Sequence, residues 1–99
     1  MTTIVILDIP AGPEARDAVL KLMHDALPTT RAFDGCEGLE MLVNQDDTGN
    51  IVIYERWKSR AHYDAYRAFR AETGFSASFR AMLPALPTVR VFDIDHAYP

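Results

Sequence analysis

Apolar and polar residues follow two different periods along this 99-residue chain, and the switches between them mark its elements. Thr3–Ile9 is a β-branched apolar run that stops at Pro10, which predicts a strand. Pro10-Ala11-Gly12-Pro13 reads as a turn, and Pro13 can open a helix because the first helical residues need no N–H donor. From Glu14, apolar residues recur at Ala15, Ala18, Val19, Leu22, Met23, Ala26 and Leu27, the stripe of an amphipathic helix. Pro28 is expected to end or kink it, with a weak continuation to Phe33. Asp34-Gly35 reads as a turn, Leu39–Asn44 as a second strand, Asp46–Asn50 as a hairpin loop and Ile51–Trp57 as a third strand. Ser59 is a suitable N-cap for a helix running to about Ala71, with Gly74 near its C-terminus. Phe75–Leu83 predicts a second short helix, Pro84 and Pro87 break the chain, and Thr88–Asp95 predicts a final strand.

The order β-α-β-β-α-(α)-β is the split βαβ, ferredoxin-like α+β arrangement, a four-stranded antiparallel sheet with helices on one face. One domain over residues 1–99 is expected, with no internal repeat. The strands are apolar on both faces. Ile4 and Ile6 oppose Val5, Leu7 and Ile9; Ile51, Ile53 and Trp57 oppose Val52 and Tyr54; Val89 and Val91 oppose Phe92 and Ile94. A sheet with one wet face should alternate apolar with polar residues. Two helices cover one face, so the other predicts a homodimer with sheets packed face to face. The bland alternative is a monomer with a mildly apolar exposed sheet.

A net charge of −4 argues against a nucleic-acid partner, which would need clustered Lys and Arg. No basic amphipathic helix points to a membrane surface, and no apolar run is long enough to span a bilayer. The start carries no positive n-region or cleavage site, and the single Cys36 suits a reducing compartment, so a cytoplasmic protein is expected.

No phosphate-cradling Gly loop, CxxC, HExxH or GxSxG is present, so no nucleotide cofactor has a visible site. His24, His62 and His96 lack metal-ligand spacing, and no metal is expected. Cys36 has no base or helix N-terminus in view to activate it and reads as a small buried residue. Tyr63 and Tyr66 lie one helical turn apart; core packing is the simpler account, an aromatic pocket for a flat substrate the functional one. Asp8 and Glu55 interrupt apolar strand faces, as strand-end residues in solvent or as polar groups set in a cavity. Arg67, Arg70 and Arg80 could pair with these carboxylates or with a substrate oxygen. Trp57, the sole tryptophan, stands where a strand passes into a helix and can plug a core or wall a pocket.

Two segments resemble a known family. Thr30-Arg31-Ala32-Phe33-Asp34-Gly35-Cys36-Glu37-Gly38-Leu39 is similar to the "tr-x-x-x-G-C-x-g" signature of antibiotic biosynthesis monooxygenase (ABM) domains, and Tyr54-Glu55-Arg56-Trp57-Lys58-Ser59 to their "E-x-W-x-S" signature. The resemblance spans nearly the whole chain and implies a dimeric α+β barrel. It also implies oxidation of phenols or quinols by O₂ without flavin, metal or haem, the substrate itself being the electron donor. Carried over residue by residue, Trp57 and Tyr63 match pocket residues of polyketide-tailoring members, and Arg80 stands near their pocket arginine. Ile53 stands where those members have asparagine. In the haem-degrading branch Asp8 would replace an asparagine and Phe79 the axial histidine, so haem degradation is not expected. The leading expectation is thus a cofactor-independent monooxygenase in which Trp57 and Tyr63 shape the pocket, with His62, Tyr66 and Asp8 as candidates to orient substrate or remove a proton. An imidazole is a residue type suited to proton removal near neutral pH. A non-catalytic dimer binding a small aromatic ligand, and a cofactor-free isomerase or decarboxylase, are the alternatives.

Overall fold

The strand that carries Trp57 organises the sheet around it. The computed structural model describes residues 1–99. Its elements are β1 (Thr3–Pro10), α1 (Gly12–Ala32), β2 (Cys36–Val43), β3 (Asn50–Trp57), α2 (Arg60–Glu72), α3 (Phe75–Ala81) and β4 (Thr88–Asp93). The strands form one antiparallel sheet in the order β2-β3-β1-β4, the ferredoxin-like α+β topology that the period switches predict.

Along β3 burial alternates strictly. Ile51, Ile53, Glu55 and Trp57 are buried, while Asn50, Val52, Tyr54 and Arg56 are half-buried. The register sets Ile51 beside Ile9 and Val43, Ile53 beside Leu7 and Met41, Glu55 beside Val5 and Leu39, and Trp57 beside Thr3 and Cys36. This face meets Val19 and Met23 of α1 and Phe79 of α3 in one apolar cluster, and Tyr63 of α2 in a second with Val5, Cys36 and Trp57. The opposite face carries Ile6, Val52 and Tyr54 at its centre, with Leu42 and Phe92 exposed at its flanks, and no helix covers it.

Ser59 caps α2 through its side chain, accepting from the His62 backbone N–H at 3.2 Å, as expected. Two boundaries depart by three residues or more from a stop at Pro28 and a start at Leu39. Helix α1 runs through Pro28 to Ala32. The missing Pro28 N–H would have bonded the carbonyl of His24, four residues back; that residue is exposed, so water can take the carbonyl. Strand β2 starts three residues early, at Cys36, because an irregularity between Cys36 and Gly38 interrupts the alternation that would have announced it. Gly38 sits there at φ 155, a value open to glycine.

Candidate functional site

A cleft of about 900 Å³ lies between the helices and the covered face of the sheet. Leu7, Ile53 and Glu55 reach it from the strands, Met23 and Thr30 from α1, Tyr63, Tyr66, Arg67 and Arg70 from α2, and Phe75, Phe79 and Arg80 from α3. The space suits a ligand of several fused rings, and the mostly apolar lining with a few polar groups is the usual composition of a small-molecule site.

Glu55 is the polar centre of this lining. The period of two that buries Ile51 and Ile53 also turns Glu55 inward, leaving it 4% exposed. The Trp57 indole N–H donates to its Oε1 at 2.8 Å. The other carboxylate oxygen has no protein partner and is not sealed from the cleft. Burial pushes the carboxyl up to about 7, against the opposing pull of the Trp57 hydrogen bond and the Arg70 charge. Near neutral pH both protonation states are therefore populated, which is what a group that takes and returns a proton needs.

Two tyrosines stand beside it with different roles. Tyr63 is 4% exposed; burial, with Arg67 opposing, pushes its phenol up to about 12, so it stays a hydrogen-bond donor. The Tyr66 hydroxyl is held by Thr30 Oγ1 at 2.6 Å and by the Arg70 Nε–H at 2.8 Å. Arg70 also donates to the Ala26 carbonyl at 2.9 Å and to Thr30 Oγ1 at 3.2 Å, and its guanidinium lies 4.4 Å from the Phe75 ring centroid. This network joins α1 to α2 across the cleft and fixes Tyr66.

The structure gathers Tyr63, Tyr66 and Arg80 on the cleft and leaves three other candidates off it. Trp57 is fully buried, with ring centroids 5.1 Å from Tyr66, 5.9 Å from Tyr63 and 6.3 Å from Phe33. It reaches the site only through its bond to Glu55. His62 precedes Tyr63 by one position, which on a helix is a rotation of roughly 100°. It turns away to meet Ser59 Oγ at 2.6 Å and Asp34 at 3.8 Å. There it packs over Gly35, where a Cβ would overlap its ring. Asp8 lies on the uncovered face of the sheet, accepting from Asn50 Nδ2 at 2.6 Å. Cys36 is buried, and desolvation pushes its thiol up. No group of three or more His, Cys, Asp or Glu side chains is placed to hold a metal ion. No helix is long and apolar enough to cross a membrane.

From sequence, Glu55 and Arg70 were weighed as polar candidates without being assigned to the site, and Thr30 was not singled out for it. For Glu55 the signal was present, as one acid in an otherwise apolar strand period two residues before a tryptophan. Arg70 stood among the arginines able to meet a carboxylate or a substrate oxygen, but nothing in the sequence joined it to Thr30, whose hydroxyl it meets across 40 positions.

Comparison with known proteins places this geometry. The family model for antibiotic biosynthesis monooxygenases matches residues 2–84. The chain is 35% identical over 76 residues to Rv0793 of Mycobacterium tuberculosis, a candidate monooxygenase by name, covering 71% of this chain and 74% of that protein. The structure of Rv0793 superposes with a TM-score of 0.84 at 28% identity over 99% of this chain and 100% of that one. A monooxygenase from ActVA-Orf6 of Streptomyces coelicolor, solved in complex with nanaomycin D, shares the fold at a TM-score of 0.81 and 17% identity, over 98% of this chain and 90% of that one.

Proposed function

The chain belongs to the antibiotic biosynthesis monooxygenase family, and from that premise we propose that it oxidises a phenolic or quinol-like aromatic compound with O₂, without flavin, metal or haem. The observation that carries this reading is the buried Glu55 carboxyl, with a pKa of about 7, facing an aromatic-lined cleft. A phenol is a poor electron donor to O₂; its phenolate is a good one. Glu55 takes the phenolic proton, and the apolar surroundings keep water from solvating the anion. Tyr63, which remains protonated, and the Arg70 charge favour the oxyanion. O₂ adds to the ring carbon para to the oxyanion, giving a substrate hydroperoxide. Its O–O bond breaks as that carbon loses its hydrogen. One oxygen stays as the new carbonyl and the other leaves as water, with Glu55 returning its proton. Phenol plus O₂ gives quinone plus water, and the substrate supplies all four electrons. Trp57 is a positioning residue that holds Glu55 by one hydrogen bond.

The proposal includes a homodimer joined through the uncovered sheet face. Ile6, Val52 and Tyr54 at its centre, with Leu42 and Phe92 beside them, support it. The nanaomycin D bound to the Streptomyces relative supports a small-molecule role.

One observation favours a second reading, a module that binds an aromatic ligand without turning it over: Trp57 is packed by its neighbours and does not wall the cleft. Oxygen uptake with a panel of phenols and quinols separates the two. Uptake that falls sharply in Glu55→Gln supports catalysis. Binding without uptake in any member supports the binding module, and substrate loss without uptake an isomerase or decarboxylase.

A further inference from the structure

The cleft is positively charged in a chain that is negative. The whole protein carries −4, yet three of the four ionisable charged side chains on the cleft are arginines, Arg67, Arg70 and Arg80, against the single Glu55. Most of the other arginines are held by acceptors. Arg16, Arg56 and Arg60 sit on carboxylates, Arg31 on the Cys36 carbonyl, and Arg70 on hydroxyls and the Ala26 carbonyl, while Arg90 lies over the Phe92 ring on the other face of the sheet. Arg67 and Arg80 have no acid and no hydrogen-bond acceptor, and both line the cleft from neighbouring helices, α2 and α3. Arg67 lies over the Tyr63 ring at 5.7 Å, which orders its stem while leaving the fork of N–H donors free. Both are exposed, so they stand at the mouth, while Glu55 is buried.

Resting on the reading of the cleft as a site for a phenolic ring, we propose that the substrate is an aromatic acid whose carboxylate is received by Arg67 and Arg80 as its ring passes inward to Glu55. A guanidinium fork matches a carboxylate in two parallel hydrogen bonds, which a hydroxyl or ester cannot reproduce. The same charges draw an anion to the mouth before contact and orient it acid-outward. The phenolic hydroxyl is thereby presented to the one carboxyl able to remove its proton, and a neutral phenol of the same shape has no such orientation imposed on it.

The test is calorimetric titration under anaerobic conditions, so that binding is read without oxidation, using 5-hydroxy-2-naphthoic acid, whose carbon para to the hydroxyl carries a hydrogen, and its methyl ester. Wild-type protein is expected to bind the acid at least roughly tenfold more tightly, the scale of charge-assisted hydrogen bonds. The ratio should shrink with added salt, fall part-way in Arg67→Gln and Arg80→Gln, and approach one in the double variant. Both positions are exposed, and circular dichroism is to check that each variant folds. Equal binding of acid and ester, a preference that survives in the double variant, or no binding of either overturns the proposal. Oxygen uptake by the wild type with the ester keeps the two claims apart. Uptake with no acid preference defeats the aromatic-acid claim alone, whereas tight acid binding with no uptake from either compound defeats the monooxygenase reading and leaves the anion receptor standing.

Discussion

The two faces of the sheet handle charge in opposite ways. On the uncovered face every charged group has company. Arg56 pairs with Glu40 at 3.2 Å and lies over Tyr54, Arg90 lies over Phe92, and Asp8 is bonded by Asn50. These groups are exposed or half-buried, and such pairs contribute little to stability. On the covered face one carboxyl, Glu55, is buried with a single donor and an oxygen left open to the cleft. A buried carboxyl that is only partly satisfied is costly. The comparison teaches that polar groups on the open side fringe an uncovered apolar surface, while the one buried acid on the helix side is a cost to the fold that the proposed proton transfer explains.

The largest effect should come from removing that acid. Glu55→Gln keeps an acceptor for Trp57 but no base, and oxidation should fall by roughly 10²- to 10⁴-fold in steady-state oxygen uptake. Its stability should move the other way. The folded-state pKa of about 7 lies above the ordinary 4.5. The native state therefore holds a proton that the unfolded chain gives up, and stability from this group is full below about pH 4.5 and lost as pH rises through 7. The loss amounts to about 3 kcal/mol. Urea titrations at pH 5 and pH 8 should show the variant gaining most of that on the wild type at the higher pH. A difference between the proteins that does not change with pH would show that Glu55 is not held protonated.

Next in size is the open face. Ile6→Lys puts a charge at its centre and leaves the covered face untouched. Sedimentation should show the wild type at twice the 11.1 kDa chain mass and the variant at 11.1 kDa. A wild type that sediments as a monomer sinks the sheet-to-sheet dimer.

Smaller effects probe the supports of the cleft. Thr30→Val removes a buried hydroxyl from Tyr66 and Arg70 and should cost about 1–2 kcal/mol by denaturant titration. Ser59→Ala removes the α2 cap, far from the proposed chemistry, and should cost about 1 kcal/mol with little change in turnover.

The fold was legible because its signals are local. The stripe from Ala15 to Leu27, the alternation through Ile51 and Ile53 and the Ser59 cap each act within a few residues. Pro28 left the end of α1 open between a stop and a continuation, because the cost of its missing N–H depends on whether water reaches the carbonyl of His24, which sequence does not show. The site was half legible. Tyr63 and Tyr66 share a helix face, so naming one nearly names the other. His62 and Asp8 are placed by the same periods on the wrong sides, one helical step from Tyr63 and one strand step from Leu7. What turns Glu55 from a strand acid into a candidate base is its burial and the Trp57 bond, and burial at one position is a property of the packed whole.

Titration of the Glu55 side-chain carboxyl carbon by ¹³C NMR, assigned by its absence in Glu55→Gln, tests the account most directly. A midpoint near 7 is predicted. A midpoint near the ordinary 4.5 would mean a solvated carboxylate at neutral pH and would contradict its role as the proton-handling group of the cleft.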